Sequence, residues 1–284
     1  MRETEAAKPA KLSLGEPDAA AEESASSEAV ADAVVTSRDE YSTTYTKDDG
    51  SHVTQLSASP VNVFQNGEWR ESSTRLKADS ATGGLSVPQN VLRPEFKRDG
   101  AADGVMSVEK DGYRVSYTLK GAATSAMKAP LPFASRNGVG TDKVTYPEVF
   151  DGVDLEYQVQ PSSVKETLKL DALPSKSDDE YMWGVDAPGL TLSVNAEGGV
   201  DFADVNGTVR FQIPTPLMWD SSGVEGESSD ATANVPVTVE RAGNSWTLTL
   251  SPSREWLADS DRVYPVYVDP TTWGPAGTTD IRSY

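Results

Sequence analysis

Forty-four carboxylates, one histidine and no cysteine define the chemistry open to this chain of 284 residues. The absence of cysteine removes thiolate catalysis, disulfides and Cys-ligated zinc together, while leaving the redox compartment undecided. A histidine-based zinc site lacks ligands. A Ser-His-Asp triad would have to be built on His52, beside the Asp49-Gly50 turn, and the chain carries no nucleophile-elbow pattern. Glycoside hydrolysis needs only two carboxylates at a fixed separation. The best pair is Glu156 and Glu166, both inside "VDLEYQVQPSSVKETLKL".

The hairpin in that stretch decides between catalysis and structure. A loop of only Pro161-Ser162-Ser163 would put Val159 opposite Lys165 and Leu155 opposite Lys169, with the apolar sets on different faces. A four-residue loop, Gln160 to Ser163, instead pairs Val159 with Val164, Tyr157 with Glu166, Leu155 with Leu168 and Val153 with Leu170, and sets Asp154 against Lys169 on the other face. Alternation then separates Glu156 from Glu166, and leaves Glu166 the lone charge on the apolar face. Glu166, Tyr157, Asp154 and Lys169 are therefore expected to be structural, with Glu166 satisfied by a base or by backbone donors, since an unpaired buried carboxylate is costly. No catalytic residue is expected.

Calcium is the next chemistry that acids suggest. "DFADVNG" places Asp204, Asn206 and Gly207 as in an EF-hand loop, yet position one is Phe202 and position twelve is Ile213, where a bidentate Glu belongs. A type I′ turn on Asn206-Gly207 is expected instead, and "FDGVD" and "WDSSG" read as Asx-turns. No complete metal loop is present, so no cofactor is expected. Of the six Trp, Trp69, Trp183, Trp246 and Trp256 fall in strand or helix patterns that favour burial. Trp219 and Trp273 fall in loop-like text and are the candidate glycan contacts.

The elements that hold these residues are strands. "VFQNGEWR" is a hairpin tipped by Asn66-Gly67, and "VMSVEKDGYRVSYTL" a hairpin around Asp111-Gly112 that pairs Glu109 with Arg114 and Met106 with Tyr117. Turn signals every eight to twelve residues, without an intervening helical period, indicate an all-β chain of antiparallel sandwich architecture. One short helix is expected in "PSREWLADS", capped by Ser253 and burying Trp256 and Leu257.

Charge divides the chain. Residues 1–37 carry three bases and eight acids (−5), residues 38–140 thirteen and twelve (+1), and residues 141–284 nine and twenty-four (−15). The first segment, rich in Ala, Glu and Ser, is read as a disordered acidic tether. Residues 38–140 and 141–270 are read as two consecutive β domains, and residues 271–284 as a linker into a following module. A phosphate groove needs clustered Lys and Arg, so the charge balance excludes nucleic acid as a partner. No apolar run reaches membrane-span length, and the first residues lack the apolar core of a signal peptide.

The order "EYSTTYTKDDGSH", "SPVNVFQNGEW", "VTYPEVFDGVDLEYQVQPSSVKETLKL", "GGVDFADVNGTVRFQIPTPLMWDSSG" and "SREWLADSDRVYPVYVDP" resembles the N-terminal β region of secreted actinobacterial RHS/YD-repeat proteins, wall-associated relatives of polymorphic toxins. The resemblance covers residues 38 to about 270 and rests on turn formers and core positions; the YD repeat itself is not among them. It implies a non-catalytic structural module of a secreted or cell-wall-associated protein, supporting surface display or toxin delivery, with the rest of the same polypeptide as partner. A glycan-binding adhesion module, with cell-wall glycans as partner, is the second reading. A carboxylate-dependent glycoside hydrolase is the third.

Overall fold

A computed structural model describes residues 33–80, 82–128, 141–175, 180–223 and 231–274. Two large antiparallel sheets enclose a common core. The first has eight strands, in the order Val237–Ala242, Ser245–Leu250, Tyr181–Asp186, Tyr113–Leu119, Met106–Lys110, Glu95–Phe96, Leu85–Ser86 and Lys77–Ala78. The second has ten strands and is organised around Ser163–Leu170. One edge of that strand pairs along its whole length with Val153–Val159, which pairs in turn with Lys143–Phe150. Its other edge is shared by Val266–Asp269 and Thr272–Trp273. From these the sheet continues on one side to Leu217–Trp219 and Thr232–Asn234, and on the other to Val209–Ile213, Val200–Ala203 and Thr191–Val194.

Alternation along the strands supplies the core. Val153, Leu155, Tyr157 and Val159 point inward from one strand while Asp154, Glu156 and Gln158 point outward. Aromatic rings close the gap between the sheets. Phe96 meets Tyr157 at 5.4 Å between centroids, Phe150 meets Tyr181 at 5.6 Å, and Tyr117 meets Phe202 at 6.5 Å. Residues from Leu76 to Val268 belong to one continuous buried cluster. The strand Tyr113–Leu119 hydrogen-bonds to Tyr181–Asp186, so the change of charge near residue 140 falls inside a shared sheet and a shared core. It marks a change of surface and does not divide the core into two consecutive halves.

Local turn chemistry fixes the registers. Asn66-Gly67 and Asp111-Gly112 both have two positive φ angles (53° and 82°, 54° and 81°), the type I′ geometry that matches strand twist. The second hairpin pairs Glu109 with Arg114 and Met106 with Tyr117. Asn206-Gly207 differs from the type I′ expectation. Only Gly207 is left-handed, at φ 79°, and the loop is closed by Gly207 N donating to Asp204 O and Asp204 N donating to Thr208 O, both at 2.9 Å. The Asp204 carboxylate accepts from the backbone N–H of Asn206 at 2.8 Å and Thr208 at 3.0 Å, which holds a wider Asx-turn and shifts the register beside Ala203. In the short helix Arg254–Leu257, Ser253 accepts from Trp256 N at 3.2 Å; Leu257 is buried and Trp256 half-buried beneath Arg262.

Two smaller units precede the sandwich, a three-stranded sheet (Val34–Asp39, Ser42–Thr46, His52–Leu56) and the hairpin Asn62–Gln65 with Glu68–Glu71. The first of these strands begins at Val34, inside the segment read as a tether; residues 1–32 of that segment, and residues 275–284 of the expected linker, lie outside the described residues. The fully buried Asn62 joins the two units. Its amide donates to Asp39 O at 2.7 Å and Ser42 O at 2.8 Å, and its Oδ1 accepts from Arg38 at 2.5 Å.

Candidate functional site

The hairpin formed by Val153–Val159 and Ser163–Leu170 presents different chemistry on its two faces. On the inner face, Tyr157 lies opposite Glu166, the pairing that the four-residue loop requires. Glu166 is 2% exposed. Among the described residues neither of the two expected partners, a base or a backbone donor, bonds to its Oε1. Burial raises its pKa to about 8, the charge of Asp269 adds to the rise, and the indole of Trp183 and the hydroxyl of Tyr157 oppose it. Those two groups are felt by the carboxyl yet sit outside hydrogen-bond geometry: Glu166 Oε1, Tyr157 OH and Trp183 Nε1 each close no hydrogen bond among the described residues. Desolvation thus favours the neutral form of Glu166. Nearby, Thr272 Oγ1 donates to Tyr117 OH at 3.1 Å, and burial pushes the Tyr117 phenol well up.

The outer face carries a groove of about 170 Å³, lined by Lys143, Thr145, Glu156, Gln158, Lys165, Thr167, Trp219 and Tyr267. Its aromatic wall is built by two strands distant in sequence. Trp219 stands opposite Tyr267 in the register, and their rings stack at 5.6 Å with 22° between planes. Lys165 Nζ lies 5.0 Å from the Trp219 ring centroid and 3.6 Å from Asp269. Gln158 donates to Asp142 at 2.9 Å. Glu156, flanked in the register by Thr145 and Thr167, makes no hydrogen bond or ion pair among the described residues. The two candidate glycosidase carboxylates therefore stand on opposite faces of the sheet, unable to flank one bond.

The other residues singled out from sequence are placed as follows. Lys169 pairs with Asp154 at 3.8 Å and with Asp171 at 2.7 Å. Trp219 belongs to a strand rather than a loop. Trp273 also lies in a short strand, 44% exposed, opposite Ser163 and Gln212. It does not line the Trp219 groove. His52 is exposed, with Nδ1 2.8 Å from Thr46 Oγ1. Asp204 is clamped by Arg210 through Nε at 2.9 Å and Nη2 at 2.7 Å, which with the backbone donors holds its carboxyl below the usual range. Among the described residues, no three His, Asp or Glu side chains gather as a metal site. No helix among them is long and apolar enough to cross a membrane. Lys143, Lys165 and Tyr267 were not singled out from the sequence. Alternation alone puts Lys165 and Gln158 on one face, whereas the pairing of Trp219 with Tyr267 spans strands that no local signal connects.

Fold and site together define an antiparallel β-sandwich with a buried carboxyl of raised pKa in its core and an aromatic groove on an outer sheet face. No protein-family profile matches the chain. Three curated Bacillus proteins do match it. The tRNA3(Ser)-specific nuclease WapA of Bacillus spizizenii is 26% identical over 249 residues; the tRNA(Glu)-specific nuclease WapA of Bacillus subtilis subsp. natto and the tRNA nuclease WapA of Bacillus subtilis strain 168 are each 27% identical over 248 residues. Each match covers 84% of this chain and 10% of the relative, so the chain spans about a tenth of the length of those proteins.

These names correct the reading made from sequence. The relatives are Bacillus proteins named as tRNA nucleases, where actinobacterial RHS/YD-repeat wall proteins were expected. Their names are those of enzymes, against the expectation of a non-catalytic structural module, and they support neither the glycan-binding nor the glycoside hydrolase alternative. A nucleic acid appears in each name, which overturns its exclusion on charge. Net charge describes an average surface, and a substrate is met by a local one.

Proposed function

We propose that this chain is a working part of a tRNA nuclease of the kind its Bacillus relatives are named for. The observation that carries the reading is the extent of the similarity, 84% of the chain in all three cases. A location outside the cell or at the cell wall is part of the same proposal. The experiment is tRNA cleavage by the full-length protein containing this chain, followed on end-labelled total tRNA beside a full-length protein from which residues 33–274 have been deleted. The expected result is cleavage by the first and its loss or marked slowing in the second. Absence of cleavage by the intact protein would overturn the reading. The location is tested by fractionating cells into cytoplasm, wall and medium; recovery in the cytoplasm alone would overturn that part.

A further inference from the structure

We infer that His52–Leu56, the outer strand of the three-stranded sheet, pairs antiparallel with the same strand of a second copy of this chain, about a two-fold axis at Thr54. The inference rests on the fold and is independent of the nuclease reading. His52–Leu56 pairs on one side with Ser42–Thr46 and is the last strand of its sheet. An antiparallel ladder alternates between hydrogen-bonded and non-hydrogen-bonded pairs. Lys47 N donates to Ser51 O and Ser57 N to Tyr41 O, both at 2.9 Å, so the hydrogen-bonded pairs between them are Tyr45 with Val53 and Thr43 with Gln55. The N–H and C=O of His52, Thr54 and Leu56 therefore point away from the sheet. The side chains agree, since Thr54 Oγ1 lies 2.9 Å from Thr44 Oγ1 and His52 Nδ1 2.8 Å from Thr46 Oγ1, the close approach of non-hydrogen-bonded pairs.

An open edge is a template for another strand, and proteins ordinarily blunt it with charge, proline, a bulge or shortness. This one has five residues, "HVTQL", with no proline, acid, lysine or arginine, and its register is unbroken. Among the described residues every other strand at a sheet edge has at most four residues or bears charged side chains. Val34–Asp39, at the other edge of the same sheet, has Arg38, Asp39 and a bulge between Val35 and Ser37. His52, Thr54 and Leu56 are exposed, Leu56 by 82%. Gln55 and Leu56 border a groove of about 930 Å³, lined also by Thr74 and Arg75, so space is open beside the strand. A second copy is the occupant that the edge itself describes. The outward groups recur at every second residue and are symmetric about Thr54: Thr54 meets Thr54 of the second copy, and His52 meets its Leu56, for about six main-chain hydrogen bonds. Such a pairing brings no like charges together along the strands. It also lies in the part of the chain, residues 38–140, whose thirteen bases and twelve acids nearly balance, whereas residues 141–284 carry −15. Repulsion between two acidic copies is least there.

The test is sedimentation equilibrium of the whole chain from micromolar to millimolar concentration, for the native sequence, Thr54→Pro and Thr54→Lys, with the melting temperature of each recorded. The native chain is expected to convert from monomer to dimer. Thr54→Pro removes the outward N–H and leaves the bonds to Ser42–Thr46 in place, since proline is tolerated on an edge strand whose N–H faces outward. Loss of the two bonds at the axis should raise the dissociation constant at least roughly tenfold. Thr54→Lys sets two cations side by side on the axis and should do the same with the melting temperature unchanged. The chain has no cysteine, so pyrene attached to Thr54→Cys should show excimer emission in the dimer, and pyrene on Val205→Cys, at a site 91% exposed on the sandwich, should not. A native chain that stays monomeric overturns the inference and leaves the edge to a strand of another protein. A dimer indifferent to both substitutions, or excimer emission from position 205 alone, would place the contact elsewhere and overturn it. Assembly beyond two copies would also overturn it, because a two-fold pairing of one edge per copy closes at two.

Discussion

Replacing Glu166 by glutamine should abolish a pH dependence of stability that runs opposite to that of most carboxylates. The carboxyl is fully enclosed, and its pKa rises from an ordinary 4.5 to about 8, chiefly through desolvation and then through Asp269. Between those two values the folded chain keeps a proton that the unfolded chain has lost. The unfolded state therefore binds fewer protons, and stability falls as pH rises through this window. The contribution is fully present below about pH 4.5, declines by roughly 1.4 kcal/mol per pH unit, and is exhausted near pH 8, where both states are ionised. The window of about 3.5 units caps the effect at roughly 4–5 kcal/mol. Glutamine is neutral throughout and nearly isosteric, and it gives up about 1–2 kcal/mol by bringing amide protons into a site with few acceptors. The native chain should consequently be the more stable of the two at pH 4.5, and the variant the more stable at pH 8.

Urea unfolding at half-unit pH intervals from 4.5 to 8.5, followed by tryptophan fluorescence, measures both curves. The difference between them isolates Glu166 from the other acids of the chain. A difference that stays constant with pH would refute the argument, since it would mean that Glu166 titrates alike in both states and is open to water. A difference of the opposite slope would show a hidden cation beside it.

Further outcomes follow from single contacts. Asp220 is a buried acceptor for Ser222 N at 3.0 Å and Val263 N at 3.1 Å, and it pairs with Arg262 at 3.4 Å; Asp220→Ala should cost about 3–5 kcal/mol in urea unfolding, and Asp220→Asn less. Gly84 has no room for a side chain, because a Cβ there would stand 1.9 Å from Phe96 O; Gly84→Ala should lose at least about 1–3 kcal/mol, read as a lowered melting temperature. Asn62→Ala should loosen the two small units before Leu76, seen as faster proteolysis within residues 34–71 with the unfolding of the main sandwich unchanged. Acidification should release the Asp204–Arg210 clamp, because a carboxyl held below its usual range stabilises the fold above its unfolded pKa and loses that contribution as pH falls through the folded one; Asp204→Asn should remove this component from the acid limb of the unfolding profile.

What was legible in the sequence was local. The hairpins at Asp111-Gly112 and at Gln160 to Ser163 follow from turn chemistry and alternation within about fifteen residues, and both registers could be written down pair by pair. The same alternation turned Glu166 inward. Its environment could not be read that way, because Trp183 comes from the opposite sheet and Asp269 from a strand about a hundred residues further on. The expected base or backbone donor was an inference from the general cost of a buried charge; burial instead raises the pKa of the carboxyl and favours its neutral form. The supposed boundary near residue 140 failed for a related reason. Charge reports on surfaces, and the partner of Tyr117 in the sheet is Val185, a pairing that surface composition does not register.

The same distinction bears on the exclusion of nucleic acid. A net charge of −19 describes the average surface of the chain. It does not reach a groove in which Trp219 is brought onto Tyr267 by the pairing of Leu217–Trp219 with Val266–Asp269. The two residues are separated in sequence by a segment that includes the short helix, and Glu156 enters the same groove from a hairpin some sixty residues earlier.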